Sequence, residues 1–128
     1  MKAIRIHEPT GISGLVYEEA PDPTLVFGDV LVKVAACGIT HNELDYPIWT
    51  CRAGHQRTSI IPGAEVSGVI AALGLGTAGV AVGEEVFGLT DQLRDGTAAE
   101  YVQSRPVTWL PSRAPSTMCT PRQCRGPA

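Results

Sequence analysis

The chain has 128 residues, of which 44% are hydrophobic, 18% charged and 5% aromatic, and its formal net charge is −3 at pH 7. This length fits one domain with a substantial core, and the lack of a basic tract argues against a nucleic-acid or anionic-membrane partner. The first residues alternate in hydropathy, and no apolar run is long enough to span a bilayer, so the sequence predicts a cytoplasmic protein.

Glycine and proline punctuate the whole chain. The 14 glycines and 10 prolines are spread rather than clustered, which favours short strands joined by turns over long helices. The four cysteines, at positions 37, 51, 119 and 124, include no Cys-x-x-Cys pair. In a chain with this much core they are predicted to be free thiols, and Cys37 is predicted to pack as a small apolar residue in the core.

Alternation of apolar and polar residues predicts seven short strands, at residues 2–6, 15–19, 30–37, 65–73, 85–89, 98–102 and 107–110. The clearest is 30–37, because its β-branched Val30, Val32 and Val34 share one face. Gly68, inside strand 65–73, predicts a bend or a close approach of a neighbouring backbone. A mainly-β barrel or sandwich follows from this pattern.

A short helix is predicted directly after strand 30–37. Thr40 can N-cap a helical turn over 41–45, and Glu43 three residues later completes a capping-box pattern. Pro47 ends the turn. The polar residues that follow predict a surface loop.

The character of the chain changes after Pro111. Residues 113–128 have no periodicity and concentrate proline, arginine and cysteine, so they are predicted to be a disordered or aberrant C-terminal tail. The domain is therefore expected to span 1–112.

Several short motifs occur in a familiar order. They are Lys2-Ala3-Ile4, Glu18-Glu19-Ala20-Pro21-Asp22-Pro23, Gly28-Asp29-Val30-Leu31-Val32-Lys33-Val34, Cys37-Gly38-Ile39, Ile61-Pro62-Gly63-x-Glu65-Val66-Ser67-Gly68, Val82-Gly83-Glu84-Glu85-Val86-Phe87-Gly88 and Gly96-x-x-Ala99-Glu100-Tyr101-Val102. In this order they resemble the N-terminal GroES-like catalytic domain of the medium-chain dehydrogenase/reductase superfamily. The nearer resemblance is to quinone-oxidoreductase-like members, because the cysteine-rich lobe that holds a structural zinc in alcohol dehydrogenases is missing. The resemblance implies a partly open β-barrel with one or two short helical turns.

The resemblance also implies an oxidoreductase that uses NADPH or NADH to reduce a carbonyl, a quinone or an enone. In the family the nicotinamide is held by a C-terminal Rossmann domain, which is not expected in this chain. Gly74-x-Gly76-x-x-Gly79 matches a dinucleotide fingerprint, but Val80 to Gly83 do not open a helix, so these glycines are predicted to lie in a barrel loop. The chain alone is therefore expected to be truncated, to bind no cofactor tightly and to lack turnover.

The family's site residues map onto the segment around the short helix. Zinc-dependent relatives have a cysteine at the position of Thr40 and a histidine at that of Ala64, so catalytic zinc is not expected here. By this resemblance Thr40 and Asn42 are the candidate catalytic residues, which would hydrogen-bond the substrate oxygen. His41 is the candidate for contact with the cofactor phosphates, with an ordinary surface histidine as the alternative.

The remaining candidates have supporting or structural roles. Tyr46 and Trp49 are candidates to line the substrate cleft, although aromatic residues that anchor a loop would look the same. Glu43 and Glu65 are predicted to be structural. Glu43 is either the capping partner or the acidic residue that the family has at this position, and Glu65 is an acceptor for backbone or arginine.

Two other functions remain open at this level. The chain would then be a stand-alone GroES-like binding or assembly module, or a fragment of a zinc-dependent alcohol dehydrogenase. In the preferred interpretation the ligand is a small molecule, and the face left bare by a missing nucleotide-binding domain is expected to promote self-association.

Overall fold

The computed structural model describes residues 1–45, 47–49, 53–105 and 109–111. The strands are β1 (Lys2–Ile6), β2 (Leu15–Glu19), β3 (Val30–Gly38), β4 (Glu65–Leu73), β5 (Glu85–Leu89), β6 (Tyr101–Ser104) and β7 (Trp109–Pro111). One turn of 3-10 helix spans Gly11–Gly14, and the single α-helix among the described residues, α1, spans His41–Asp45. The predicted mainly-β fold with short helical turns is confirmed.

The strands form two open sheets. β1 and β2 pair antiparallel, and a five-stranded sheet has the order β6-β3-β4-β5-β7, with every neighbour antiparallel. Isolated bridges from Ala3 to Ala99 and from Ile6 to Ile60 tie the small sheet to the rest. β3 therefore lies inside the larger sheet, and its C-terminal end delivers the chain to α1.

The main core lies on one face of the five-stranded sheet. Its buried members are Val30, Val32, Val66, Ile70, Val86 and Val102, and Val34 is partly buried against them. Burial of side chains of this size stabilises a fold by about 1.5–3 kcal/mol each relative to exposure. The shared face predicted for the β3 valines is confirmed, with Val30 and Val32 fully buried.

At Gly68 the backbones of β3 and β4 lie too close for a side chain. A Cβ atom on Gly68 would lie 2.2 Å from the carbonyl oxygen of Lys33 and 2.8 Å from Cγ1 of Val32. The predicted close backbone approach at this glycine is confirmed.

The prediction that Cys37 lies in the core is wrong, since the residue is exposed. Between Val34 and Ala36 the register of β3 against β4 shifts by a bulge. A period of two counted from the buried Val30 and Val32 also places position 37 on the face opposite the core, so the small size of Cys37 was a misleading signal.

The last two strands differ from their predicted bounds. The strand predicted over 98–102 begins only at Tyr101, because Thr97 and Ala98 bond to the backbone of Gly63 and Pro62 instead. The strand predicted over 107–110 lies partly outside the described residues, and the predicted tail 113–128 lies wholly outside them. The described part of the chain contains no helix long and apolar enough to cross a membrane.

Candidate functional site

The start of α1 is held by a partial capping box. The backbone N–H of Thr40 donates to Oε2 of Glu43 at 2.7 Å, and the backbone N–H of Glu43 donates to the carbonyl of Thr40 at 3.1 Å. These bonds fit the capping role predicted for Glu43. They do not involve the Thr40 hydroxyl.

A second segment, 61–63, lines the same cleft as α1 and is secured by backbone bonds. Gly96 donates to the carbonyl of Ile61 at 2.8 Å, Thr97 to that of Gly63 at 3.0 Å, and Ala98 to that of Pro62 at 3.0 Å. The fully buried Thr97 also donates its hydroxyl to the carbonyl of Glu65 at 3.0 Å. These bonds hold the segment before β4 against residues 96–98.

Between α1 and these segments lies a cleft of about 320 Å³, referred to below as the α1 cleft. Its lining combines polar residues, namely Thr40, Asn42, Glu43, Gln92 and Arg94, with apolar or small residues, namely Pro47, Ile48, Ile60, Ile61, Pro62, Gly63 and Gly96. A mostly apolar lining with a few convergent polar groups is typical of a small-molecule site. The structure thus brings the two candidate catalytic residues, Thr40 and Asn42, to one cleft.

Arg94, one of the residues that line the cleft, is paired with the buried carboxylate of Asp29. Its Nη1 donates to Oδ2 of Asp29 at 2.6 Å, and Nε2 of Gln103 donates to the same oxygen at 2.5 Å. Asp29 is fully buried, and its Oδ1 has no hydrogen-bond partner among the described residues, with Nε of Arg105 3.9 Å away.

Sequence reasoning did not identify Arg94 or Gln92 as residues of the cleft. The available signal was an acidic residue, Asp29, at the start of a strongly apolar strand, because a buried carboxylate requires a partner. The identity of that partner, 65 positions later, could not be deduced from the sequence.

Of the remaining site candidates, Glu43 also lines the α1 cleft, whereas the other described candidates do not. His41 lies exposed on α1, and Trp49 is half-buried with its carbonyl accepting the backbone N–H of Arg57 at 2.8 Å. Glu65 is exposed, and no hydrogen bond of its carboxylate is formed within the described part of the chain. Tyr46 lies outside the described residues.

Glu65 instead borders a separate, wider cavity of about 760 Å³ on the outer face of the sheet. Cys37, Ser67, Phe87 and Leu89 line the same cavity. Phe87 and Leu89 are 45% and 55% exposed, so this surface, referred to below as the β4–β5 face, presents apolar side chains to solvent.

The donor set near α1 does not suit a catalytic zinc ion. Zinc requires three good protein ligands beside an open position, whereas Ala64 has no donor atom and Thr40 offers only a hydroxyl. No cluster of three or more His, Cys, Asp or Glu side chains occurs within the described ranges. That the protein works without zinc stays a prediction.

The resolved pKa shifts lie away from the α1 cleft, at the paired ends of β1 and β2. The hydrogen bond with Lys2 lowers the pKa of Glu19, and the same bond raises that of Lys2, with Nζ 2.7 Å from Oε1. A hydrogen bond to Asp22 raises the pKa of the N-terminal amino group. These groups therefore form an ion-pair network that ties the first strand to the second.

The fold is that of the GroES-like domain of medium-chain dehydrogenases and reductases. The family model for the alcohol dehydrogenase GroES-like domain matches residues 27–112, and the chain belongs to this family.

Known relatives place the chain among longer oxidoreductases. It is 29% identical over 124 residues to (R,R)-butanediol dehydrogenase of Neisseria gonorrhoeae, a match that covers 86% of this chain and 34% of that protein. The chain thus spans about a third of the length of this curated relative.

Two solved structures share the fold. The quinone oxidoreductase of Coxiella burnetii superposes with a TM-score of 0.74 at 22% identity, covering 87% of this chain and 36% of that one. A mycobacterial protein in complex with NADPH superposes with a TM-score of 0.74 at 23% identity, covering 91% and 35%. The resemblance to alcohol dehydrogenases and quinone oxidoreductases stated from the sequence is confirmed at the level of family and fold.

Proposed function

We propose that this chain is the substrate-side domain of a metal-free oxidoreductase that reduces a small carbonyl compound, a quinone or an enone with NADPH or NADH. The observation that carries the proposal is the α1 cleft, in which Thr40 and Asn42 meet apolar walls in a chain of the alcohol dehydrogenase family. The NADPH-bound structural relative supports the choice of cofactor class.

Thr40 and Asn42 would act as hydrogen-bond donors to the substrate oxygen. Both side chains are exposed to the cleft rather than packed in the core. Because Glu43 binds the backbone N–H of Thr40, capping of the helix does not require the Thr40 hydroxyl. Donors aimed at an oxygen that gains negative charge in the transition state contribute about 100- to 1000-fold to the rate, which is the role that a zinc ion would otherwise have.

The cofactor would supply the hydride, and this chain would contribute little to its binding. His41, exposed on α1, is the residue proposed to contact the cofactor phosphates, since an imidazolium can pair with an anion. The apolar walls formed by Pro47, Ile48 and Ile60 would exclude water from the reacting oxygen.

The proposal is tested in a chimera in which this chain replaces the corresponding part of the butanediol dehydrogenase relative. NAD(P)H oxidation is followed with a ketone, a quinone and an enone as acceptors. Thr40→Ala and Asn42→Ala are each expected to lower kcat about 100-fold. Thr58→Ala, which removes an exposed threonine outside the cleft lining, is the matched control and should leave kcat unchanged.

Absence of turnover with all three acceptors, in a chimera that folds and binds the cofactor, would sink the proposal. So would full activity in both cleft variants. The 128-residue chain by itself is expected to show no turnover, and NADPH oxidation by the purified chain would contradict that expectation.

A further inference from the structure

Arg94 lines the α1 cleft, and the buried Asp29 fixes the orientation of its guanidinium group. It donates through Nη1 to Oδ2 of Asp29 at 2.6 Å, and that oxygen also accepts a bond from Gln103. Its Nε lies 3.9 Å from Oδ2 of Asp91. A guanidinium has five N–H donors in a rigid plane, so donors remain for a ligand while the contact with Asp29 holds the plane in place.

The local charge favours a neutral ligand at Arg94 over an anion. Glu43 and Arg94 line the cleft with opposite charges. Asp29 and Asp91 contact Arg94, and Arg105 lies 3.9 Å from Asp29, so three carboxylates against two guanidinium groups leave one negative charge in excess. A carboxylate or phosphate on the ligand would meet net repulsion here, whereas a neutral oxygen can accept a hydrogen bond without it.

The size and lining of the cleft favour a short aliphatic skeleton. A volume of about 320 Å³ lies at the lower end of the usual range for small-molecule sites. The apolar contacts come from the aliphatic Ile48, Ile60 and Ile61 and from two prolines. Polar donors belong both to the α1 segment, in Thr40 and Asn42, and to the segment that contains Arg94.

We infer that Arg94 is a specificity-determining residue that donates a hydrogen bond to a second, neutral oxygen of the substrate. The substrate class is a small aliphatic α-hydroxyketone or α-diketone, whose first oxygen lies at Thr40 and Asn42. The inference rests on the proposed function, because the first oxygen is the one that is reduced there.

The test measures binding to the full 128-residue chain, without cofactor, by ¹⁵N–¹H NMR titration. The probes are 3-hydroxy-2-butanone, 2-butanone and pyruvate, which differ in the second oxygen and in charge. 3-Hydroxy-2-butanone should shift the amide signals of Gly63 and Gly96 and bind about tenfold more tightly than 2-butanone, since a hydrogen bond to a charged donor is gained. Pyruvate should bind most weakly.

The variant Arg94→Met should abolish the preference for 3-hydroxy-2-butanone. Arg5→Met is a matched control, because Arg5 is equally exposed at 23%, pairs with a carboxylate and does not line the cleft. It should keep the preference. Arg94→Lys keeps the positive charge beside Asp29 and lacks the planar fork, so it should fold and lose most of the preference.

The outcomes separate this inference from the proposed function. Equal affinity for the two neutral ketones, or tighter binding of pyruvate, would overturn the role of Arg94 and leave the proposed function intact. If none of the probes shifts the cleft amides, the cleft is not a substrate site and the two proposals fail together. The order of affinities of the three probes for the unaltered chain tests the inference even if a variant does not fold.

Discussion

Gly96 lies where three backbone carbonyl groups converge. A Cβ atom at this position would be 2.3 Å from the oxygen of Gly63 and 2.6 Å from those of Ile61 and Pro62. All three oxygens belong to the rigid segment that forms one wall of the α1 cleft, so none can move aside cheaply. The close packing of this wall therefore requires glycine at position 96, because any larger side chain would collide with these oxygens.

The variant Gly96→Ala is expected to lower the free energy of unfolding by about 2–3 kcal/mol, as overpacking of a well-packed region does. Gly38→Ala is the control, because its Cβ would meet Oε2 of the exposed Glu65 side chain at 2.4 Å, and a flexible side chain can move away. It should change stability by less than about 1 kcal/mol. Urea denaturation measures both, and equal losses would contradict the packing argument.

Single residues also show where sequence reasoning reached its limit. The burial of Val30 and Val32 followed from a period of two in β-branched residues, which local geometry dictates. The exposure of Cys37 also agrees with that period, since position 37 is odd, and the wrong prediction came from its small apolar side chain alone. The pairing of Asp29, in contrast, depends on a residue that only the tertiary fold brings near.

At the scale of elements, β1 and β2 are joined by opposite charges as well as by backbone bonds. Lys2 and Glu19 are direct partners in the register. The hydrogen bond with Lys2 lowers the pKa of Glu19 below 4.5, so this stabilisation is present above that pH and is lost as pH falls through the lowered value. The raised pKa of Lys2 has the opposite sign, and its share is lost as pH rises above 10.5.

The variant Glu19→Gln is therefore expected to be less stable than the unaltered chain at neutral pH and to match it in strong acid and strong alkali. Thermal unfolding across pH, followed by circular dichroism, measures the difference. Glu8→Gln is the control, since Glu8 forms no ion pair among the described residues, and its difference should stay small at every pH. If the stability difference between Glu19→Gln and the unaltered chain did not depend on pH, the ion pair would be ruled out as its cause.

The elements themselves were mostly predictable. The bounds of β1, β2, β4, β5 and α1 agree with the alternation of the sequence and with the capping pattern at Thr40. β6 begins later than predicted because Thr97 and Ala98 are used to hold the segment before β4. An alternating pattern indicates extended backbone, but it does not say which neighbour the backbone will bond.

For the whole molecule, the β4–β5 face is the surface with the clearest consequence for behaviour in solution. Phe87 lies opposite Ser67 and Leu89 opposite Glu65 in the register of the two strands. Longer relatives contain about twice as much additional chain as this one provides. An exposed apolar sheet face favours association between copies.

We expect the chain to form reversible dimers through the β4–β5 face at high concentration. The double variant Phe87→Ser and Leu89→Ser should raise the dissociation constant at least about tenfold, because burial of these side chains is lost. Sedimentation velocity over a concentration series measures this. Ile12→Ser removes a side chain that is 76% exposed elsewhere and should have no effect, and a monomeric unaltered chain would contradict the prediction.

The position of β3 inside the larger sheet also determines how the chain must fold. β3 pairs with β4 on one side and, through Val30 opposite Ser104, with a strand more than seventy positions away on the other. Pairing over such sequence separations is slow, because the intervening loop must be closed before any contact is gained. During synthesis one edge of β3 stays unpaired until nearly the whole domain has left the ribosome, and it is in that interval that the chain is most open to pairing with another copy.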